Sequence, residues 1–246
     1  MSFVNLLIVL GLCEYSSILR HRNVYISQII LVLFGLLTGI SAYFFGEKFF
    51  LIILLFGIFV SGLIQLIRNK VDSSIESLSS FLFGLIYVAA FFSFLILIRE
   101  FPQNIGLDYQ IGGLWVIFLF LSLWLSDTLA YFVGAPLGKH KILPLISPKK
   151  SWEGSVGGIA GAVASAFLAK GIFLKDIPLI HLLILSILVS VSGQVGDFVE
   201  SSFKRSANLK DSSRIIPGHG GILDRFDSLL FSAPLVYFYL KFILYG

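Results

Sequence analysis

Long apolar stretches alternate with short polar ones from end to end of this 246-residue chain. A helix needs about 18 or more apolar residues to cross roughly 30 Å of hydrocarbon. The chain supplies such runs at about 2–19, 25–45, 49–67, 78–98, 112–133, 153–170, 178–199 and 226–244. The expected fold is all-α, a polytopic transmembrane helical bundle of about eight membrane-spanning helices, which places both termini on one side. Residues 1–246 read as a single integral membrane domain, with N-terminal helices in 1–110 and the candidate chemistry in the helices and loops of 111–246. The first span reads as a membrane helix rather than a signal peptide, because Glu14 interrupts it and it lacks a basic leader and an A-x-A-like site.

Composition sharpens this picture. Charged residues make up 13% of the chain, against roughly 25% in a soluble domain, so water is excluded as its main solvent. Cys13 is the lone cysteine, which rules out an intrachain disulfide framework or a cysteine-built metal site. The 18 Lys and Arg residues are distributed very unevenly. Thirteen fall in one set of loops: Arg20, Arg22, Arg68, Lys70, Lys139, Lys141, Lys149, Lys150, Lys204, Arg205, Lys210, Arg214 and Arg225. Basic residues are retained on the cytoplasmic side, so these loops are expected to be cytoplasmic and both termini to face away. Nine of the thirteen lie in 134–152 and 200–225, which is where chemistry is expected.

An ionisable residue inside a span costs about 2.5–3.5 kcal/mol on insertion scales and marks a functional site by default. Asp127, Asp197, Glu200, Asp224 and Asp227 all lie near the expected cytoplasmic ends of their helices. Asp197/Glu200 and Asp224/Asp227 are i, i+3 pairs, each projecting from one helix face. A cluster of carboxylates that cannot all ionise together there needs either a cation or retained protons, and hard oxygen ligands favour Mg²⁺. The bland reading is pairing with Lys204, Arg205 or Arg225, and Glu200 has Lys204 at i+4. Glu14 also sits near a cytoplasmic end but has no charged partner close in sequence, which makes it a weak candidate.

The 201–227 segment, SSFKRSANLKDSSRIIPGHGGILDRFD, mixes cations, hydroxyls, glycines and acids. Lys204, Arg205 and Lys210 offer phosphate donors. Gly218, Gly220 and Gly221 allow close backbone approach and can build an anion-binding nest leading into the last helix. The 147–154 segment, SPKKSWEG, puts Lys149 and Lys150 directly before a helix that Ser151 can cap, a ready anion site. Lys139 and Lys141 read as topology determinants. His219 can be a base, a phosphate donor or a turn residue.

These residues resemble the phosphatidate cytidylyltransferase family, also called CDP-diacylglycerol synthase. The resemblance rests on Ser201, Phe203, Lys204-Arg205, Lys210-Asp211, Pro217-Gly218-His219-Gly220-Gly221 and Asp224-Arg225-Phe226-Asp227, joined by Asp127 to Gly134 (DTLAYFVG) and Ser147 to Gly154. It is dense over roughly 115–240 and looser before. The resemblance implies condensation of CTP with phosphatidic acid to CDP-diacylglycerol and pyrophosphate, dependent on Mg²⁺ with room for a second cation. It implies Asp197, Asp224, Lys204 and Asp227 as catalytic and Asp127, Asp197, Asp224 and Asp227 as metal ligands. Substrate contacts are expected from Ser147, Lys149, Lys150, Ser151, Ser201, Lys204, Arg205, Lys210, His219, Gly220, Gly221 and Arg225.

The expected setting is a bacterial cytoplasmic (inner) membrane with the site at its cytoplasmic face. The expected partners are the bilayer, the two substrates and a second copy in a homodimer, with no nucleic acid. The rival readings are a CTP-dependent kinase of a polyprenol-type lipid and a cation-coupled transporter.

Overall fold

The computed structural model describes residues 1–68, 74–213 and 220–246. Nine α-helices account for most of them: α1 (Ser2–His21), α2 (Gln28–Phe45), α3 (Phe50–Arg68), α4 (Ser74–Gly84), α5 (Phe91–Asn104), α6 (Tyr109–Leu137), α7 (Trp152–Ile172), α8 (Leu179–Ser206) and α9 (Leu223–Tyr239). The described residues contain no β-strand, and an isolated bridge joins Lys141 and Ser151.

Among the described residues, seven helical segments are long and apolar enough to cross a membrane, close to the expected count. The difference lies in Gln28–Arg68, which is a single segment by helical continuity. Gly46, at φ +66, and the 3-10 turn Gly46–Phe49 break it into α2 and α3. The two then fold back on each other, with the Phe34 and Phe56 ring centroids 6.1 Å apart. A π-helical turn, Leu85–Ala90, joins α4 to α5, so Ser74–Asn104 is one continuous span.

The outward faces of α2 and α3 carry Ile29 at 74%, Leu66 at 77% and Ile67 at 83% exposure. Apolar surface on that scale is stable in lipid and not in water. The chain is an integral membrane protein.

Two compact units make up the chain. The first consists of Met1–Leu97 and Phe203–Phe226. Its core is fully buried Ile8 and Leu12 of α1, Leu31 of α2, Phe81 of α4 and Val88. Gly35 leaves room for the Leu12 and Ile8 side chains, so α1 and α2 approach closely. The Tyr15 hydroxyl donates to the Ser80 carbonyl at 2.9 Å. Phe203, in the last turns of α8, packs edge-on against Phe83 and Tyr87 at 5.3 and 5.5 Å.

The second unit consists of Ile98–Ser202 and Asp227–Gly246. Two N-caps start its helices: the Asp108 carboxylate accepts from Gln110 N at 2.9 Å, and Ser151 Oγ accepts from Gly154 N at 3.2 Å. Helix α7 presents Gly154, Gly157, Gly158 and Gly161 to the α6 backbone. A Cβ on Gly154 would stand 2.9 Å from the Ala130 carbonyl oxygen, and one on Gly157 would stand 3.0 Å from that of Leu129. This is the small-residue packing that membrane helices use where no hydrophobic force distinguishes protein from lipid. Buried hydroxyl pairs add hydrogen bonds across the helices, Ser122 with Ser165 at 2.7 Å and Ser126 with Ser190 at 2.8 Å. Gly196 of α8 lies against the Asp227 backbone, which draws α9 in beside Asp197.

Candidate active site

The second unit encloses a cavity of about 500 Å³ that gathers charge. Asp127 comes to it from α6, Asp197 and Gln194 from α8, and Gly154 and Ser155 from the start of α7. Lys141, Lys149, Lys150 and Ser151 come from the loop ahead of α7. The glycine stripe explains the arrangement, since close α6–α7 contact sets Asp127 beside the basic loop that precedes α7. The volume falls within the roughly 300–1,000 Å³ typical of small-molecule sites.

Lys150 bridges to Asp197 Oδ2, and its ammonium also lies 4.5 Å from the Phe198 ring centroid. Ser201 Oγ donates to Asp197 Oδ1 at 3.3 Å. The loop is held in place by Glu153, whose carboxylate accepts from His140 N at 3.2 Å and lies 2.6 Å from His140 Nδ1. Trp152 N donates back to the His140 carbonyl at 2.9 Å, so the loop is tied down as it enters α7.

The first unit contains a second polar cluster, at the start of α9. Glu14, 2% exposed, is met by four donor groups: Ser213 Oγ (2.6 Å), Ile222 N (2.8 Å), Leu223 N (2.9 Å) and Ser212 Oγ (3.0 Å), whose single proton is shared with Asp224. Asp224 stands next to it. Its Oδ1 lies 2.5 Å from Lys204 Nζ, and its Oδ2 accepts from Ser212 N, Ser212 Oγ and Gly221 N, each at 2.8 Å. Gly220 has φ +81, a conformation that favours glycine, and a Cβ on Gly221 would come within 2.5–2.6 Å of both Glu14 oxygens.

The sequence-predicted residues therefore divide by unit. Asp127, Asp197, Lys149, Lys150 and Ser151 share the cavity. Ser147 accepts from Lys150 N at 3.4 Å and shapes the turn. Lys204, Asp224, Gly220 and Gly221 surround the α9 start, where Arg205 donates to the Leu209 carbonyl at 3.0 Å. Lys210 and Arg225 are exposed, Asp227 is half-buried with Oδ1 accepting from Ser228 N at 2.6 Å, and Glu200 is buried. His219 and Gly218 lie outside the described residues.

Two contributors were not legible as site residues, and a third, Glu14, read only as a weak candidate. Lys141 reads in the sequence as a topology charge yet lines the cavity. Gln194 does so too, and its only sequence signal is an amide inside an apolar span. The nest before α9, read as open to an anion, is filled by Glu14.

Among the described residues no three His, Cys, Asp or Glu side chains gather as a metal site. Mg²⁺ is commonly held by one or two carboxylates, with substrate phosphates and water completing the shell. Asp127 and Asp197 on one cavity fit that requirement. Asp224 is already saturated by its four partners, so a cation there would have to displace Lys204.

A model described as the cytidylyltransferase family matches residues 1–243. The chain belongs to that family. Its similarity to proteins named phosphatidate cytidylyltransferase runs to 46% identity over 155 residues with that of Bacillus subtilis, covering 63% of this chain and 55% of the relative. It is 50% identical over 122 residues to that of Staphylococcus saprophyticus, covering 50% of the chain and 47% of the relative. The Staphylococcus aureus protein is 45% identical over 122 residues, with the same shares. The chain spans about half the length of the curated relatives it matches. In this cytidylyltransferase-family chain the charged cavity and the Asp224 cluster are both built from motif residues.

Proposed function

We propose that the protein transfers CMP from CTP to phosphatidic acid, forming CDP-diacylglycerol and pyrophosphate. One observation carries the reading: a cavity of about 500 Å³ at helix ends of a membrane protein holds two aspartates facing three lysines. The two reactants are polyanions, one soluble and one anchored in lipid. A site for both must be basic and must lie at the interface.

A phosphatidate oxygen attacks the α-phosphorus of CTP, the new P–O bond forms, and the bond to the β-phosphate breaks with the electron pair leaving on pyrophosphate. Phosphatidate is ionised at neutral pH, so no strong general base is required. Catalysis then rests on holding the reacting atoms in line and on countering charge that moves onto the leaving group. Lys141, Lys149 and Lys150 supply cationic donors. A phosphate entering the cavity offers Lys150 an alternative partner to Asp197 and frees that carboxylate. Asp127 and Asp197 would hold Mg²⁺, which when bound neutralises phosphate charge. Glu153 and His140 keep the lysine loop in position. Asp224 and Lys204 tie the end of α8 to Ser212 and Gly221 at the start of α9.

The basic loops support a cytoplasmic placement of the site, where CTP is available, and the Bacillus and Staphylococcus relatives support a bacterial cell membrane.

The test uses protein in nanodiscs containing phosphatidic acid, with CTP labelled at either the α- or the γ-phosphate. The proposal predicts α-label in lipid and Mg²⁺-dependent release of pyrophosphate. Label from the γ-position in lipid would instead identify a kinase, and no lipid label from either would refute both.

A further inference from the structure

We propose that Glu14 is a positioning residue: from the first helix it fills an anion site at the start of α9, and residues 207–213 and 220–226 hold their shape only while that anion is present. Two backbone amides and two hydroxyls converge on the carboxylate at 2.6–3.0 Å. That donor set, at a helix start, is one that otherwise binds phosphate or a free carboxylate. Here the ligand is a side chain 208 residues away from the Ile222 amide it receives. Glu14 is 2% exposed, so removing it strands these donors away from water.

The effect reaches candidate site residues through one shared contact. Ser212 Oγ stands 3.0 Å from Glu14 and 2.8 Å from Asp224 Oδ2, while Asp224 Oδ1 holds Lys204 at 2.5 Å. Gly221 has no space for a Cβ because Ser212 Oγ and the two Glu14 oxygens occupy it. Substrate phosphates therefore do not bind in this nest, since the chain's own carboxylate is already there. The bearing on catalysis rests on the transfer reaction proposed above, whereas the bearing on local order does not.

The experiment compares wild type, Glu14→Ala and Glu14→Gln in nanodiscs by amide hydrogen exchange without substrates, and by kcat and KM for CTP. Each is run in sodium formate and in sodium chloride at equal ionic strength. In Glu14→Ala, amides of 207–213 and 220–226 are expected to exchange about tenfold to hundredfold faster, while α6 and α7 stay unchanged. Its kcat is expected to fall at least about tenfold, with KM for CTP within about threefold. Formate should restore both the protection and the rate, because the vacated site accepts a small carboxylate. Glu14→Gln should loosen the same amides but not respond to formate, since its side chain still fills the space.

Wild-type exchange in Glu14→Ala would overturn the proposal, as would loosening spread evenly over both units with no response to formate. If Glu14→Ala does not insert, Glu14→Gln alone decides: local loosening supports the proposal and wild-type exchange overturns it. Absence of transfer by the wild-type protein would sink the proposed reaction and leave the exchange result standing.

Discussion

Replacing Lys150 with alanine separates the structural from the chemical role of the cavity cation. Its side chain is 28% exposed and that of Asp197 is 32% exposed, so the pair is only partly desolvated. Exposed ion pairs contribute about 0–1 kcal/mol, and the contact with the Phe198 ring adds about 0.5–1 kcal/mol. Stability should therefore fall by no more than about 2 kcal/mol, a shift of a few degrees in Tm for a chain of this size. The effect on rate should be far larger. A preorganised donor facing developing negative charge is worth about 10²–10³ in kcat. The check is kcat/KM from α-labelled CTP and phosphatidic acid in nanodiscs, with Tm measured on the same preparations. A kcat/KM within about threefold of wild type, or a Tm collapse that accounts for the lost activity, would refute the assignment of Lys150 to phosphate.

Four more perturbations test other parts of the structure. Gly161→Val forces a side chain into the Leu125 carbonyl and should cost about 2 kcal/mol or more, seen as loss of folded protein after detergent extraction. Asp224→Asn replaces the partner of Lys204 and weakens an oxygen that accepts three hydrogen bonds; it should lower kcat at least about tenfold while the protein still inserts, as purified variants in the label assay will show. Chelation with EDTA should abolish transfer and added Mg²⁺ should restore it. In Asp127→Asn the Mg²⁺ concentration for half-maximal rate should rise about tenfold, and an unchanged value would remove Asp127 from the cation site.

Hydropathy, helix periodicity and capping are local properties, and they were readable from the residues alone. The apolar runs marked the spans to within about seven positions, Ser151 announced the start of α7, and charge asymmetry singled out 134–152 and 200–225, the segments that supply the cavity loop and the Lys204–Asp224 cluster. Asp127, Asp197 and the 149–151 loop were legible because an acid in an apolar run and lysines before a helix each signal cost or function without reference to the fold. The partner of a buried charge is not local. Glu14 has no charged residue near it in sequence, and only the packing of α1 against the α9 start brings the Ser212, Ser213, Ile222 and Leu223 donors onto it. The same holds for the bond of Lys204 to Asp224 and for Lys141, whose place on the cavity wall depends on Glu153 and His140 pinning its loop. Transfer free energies decide residue by residue which segments enter lipid, but a carboxylate buried there must find donors wherever the helices converge, and that convergence is a property of the packed chain.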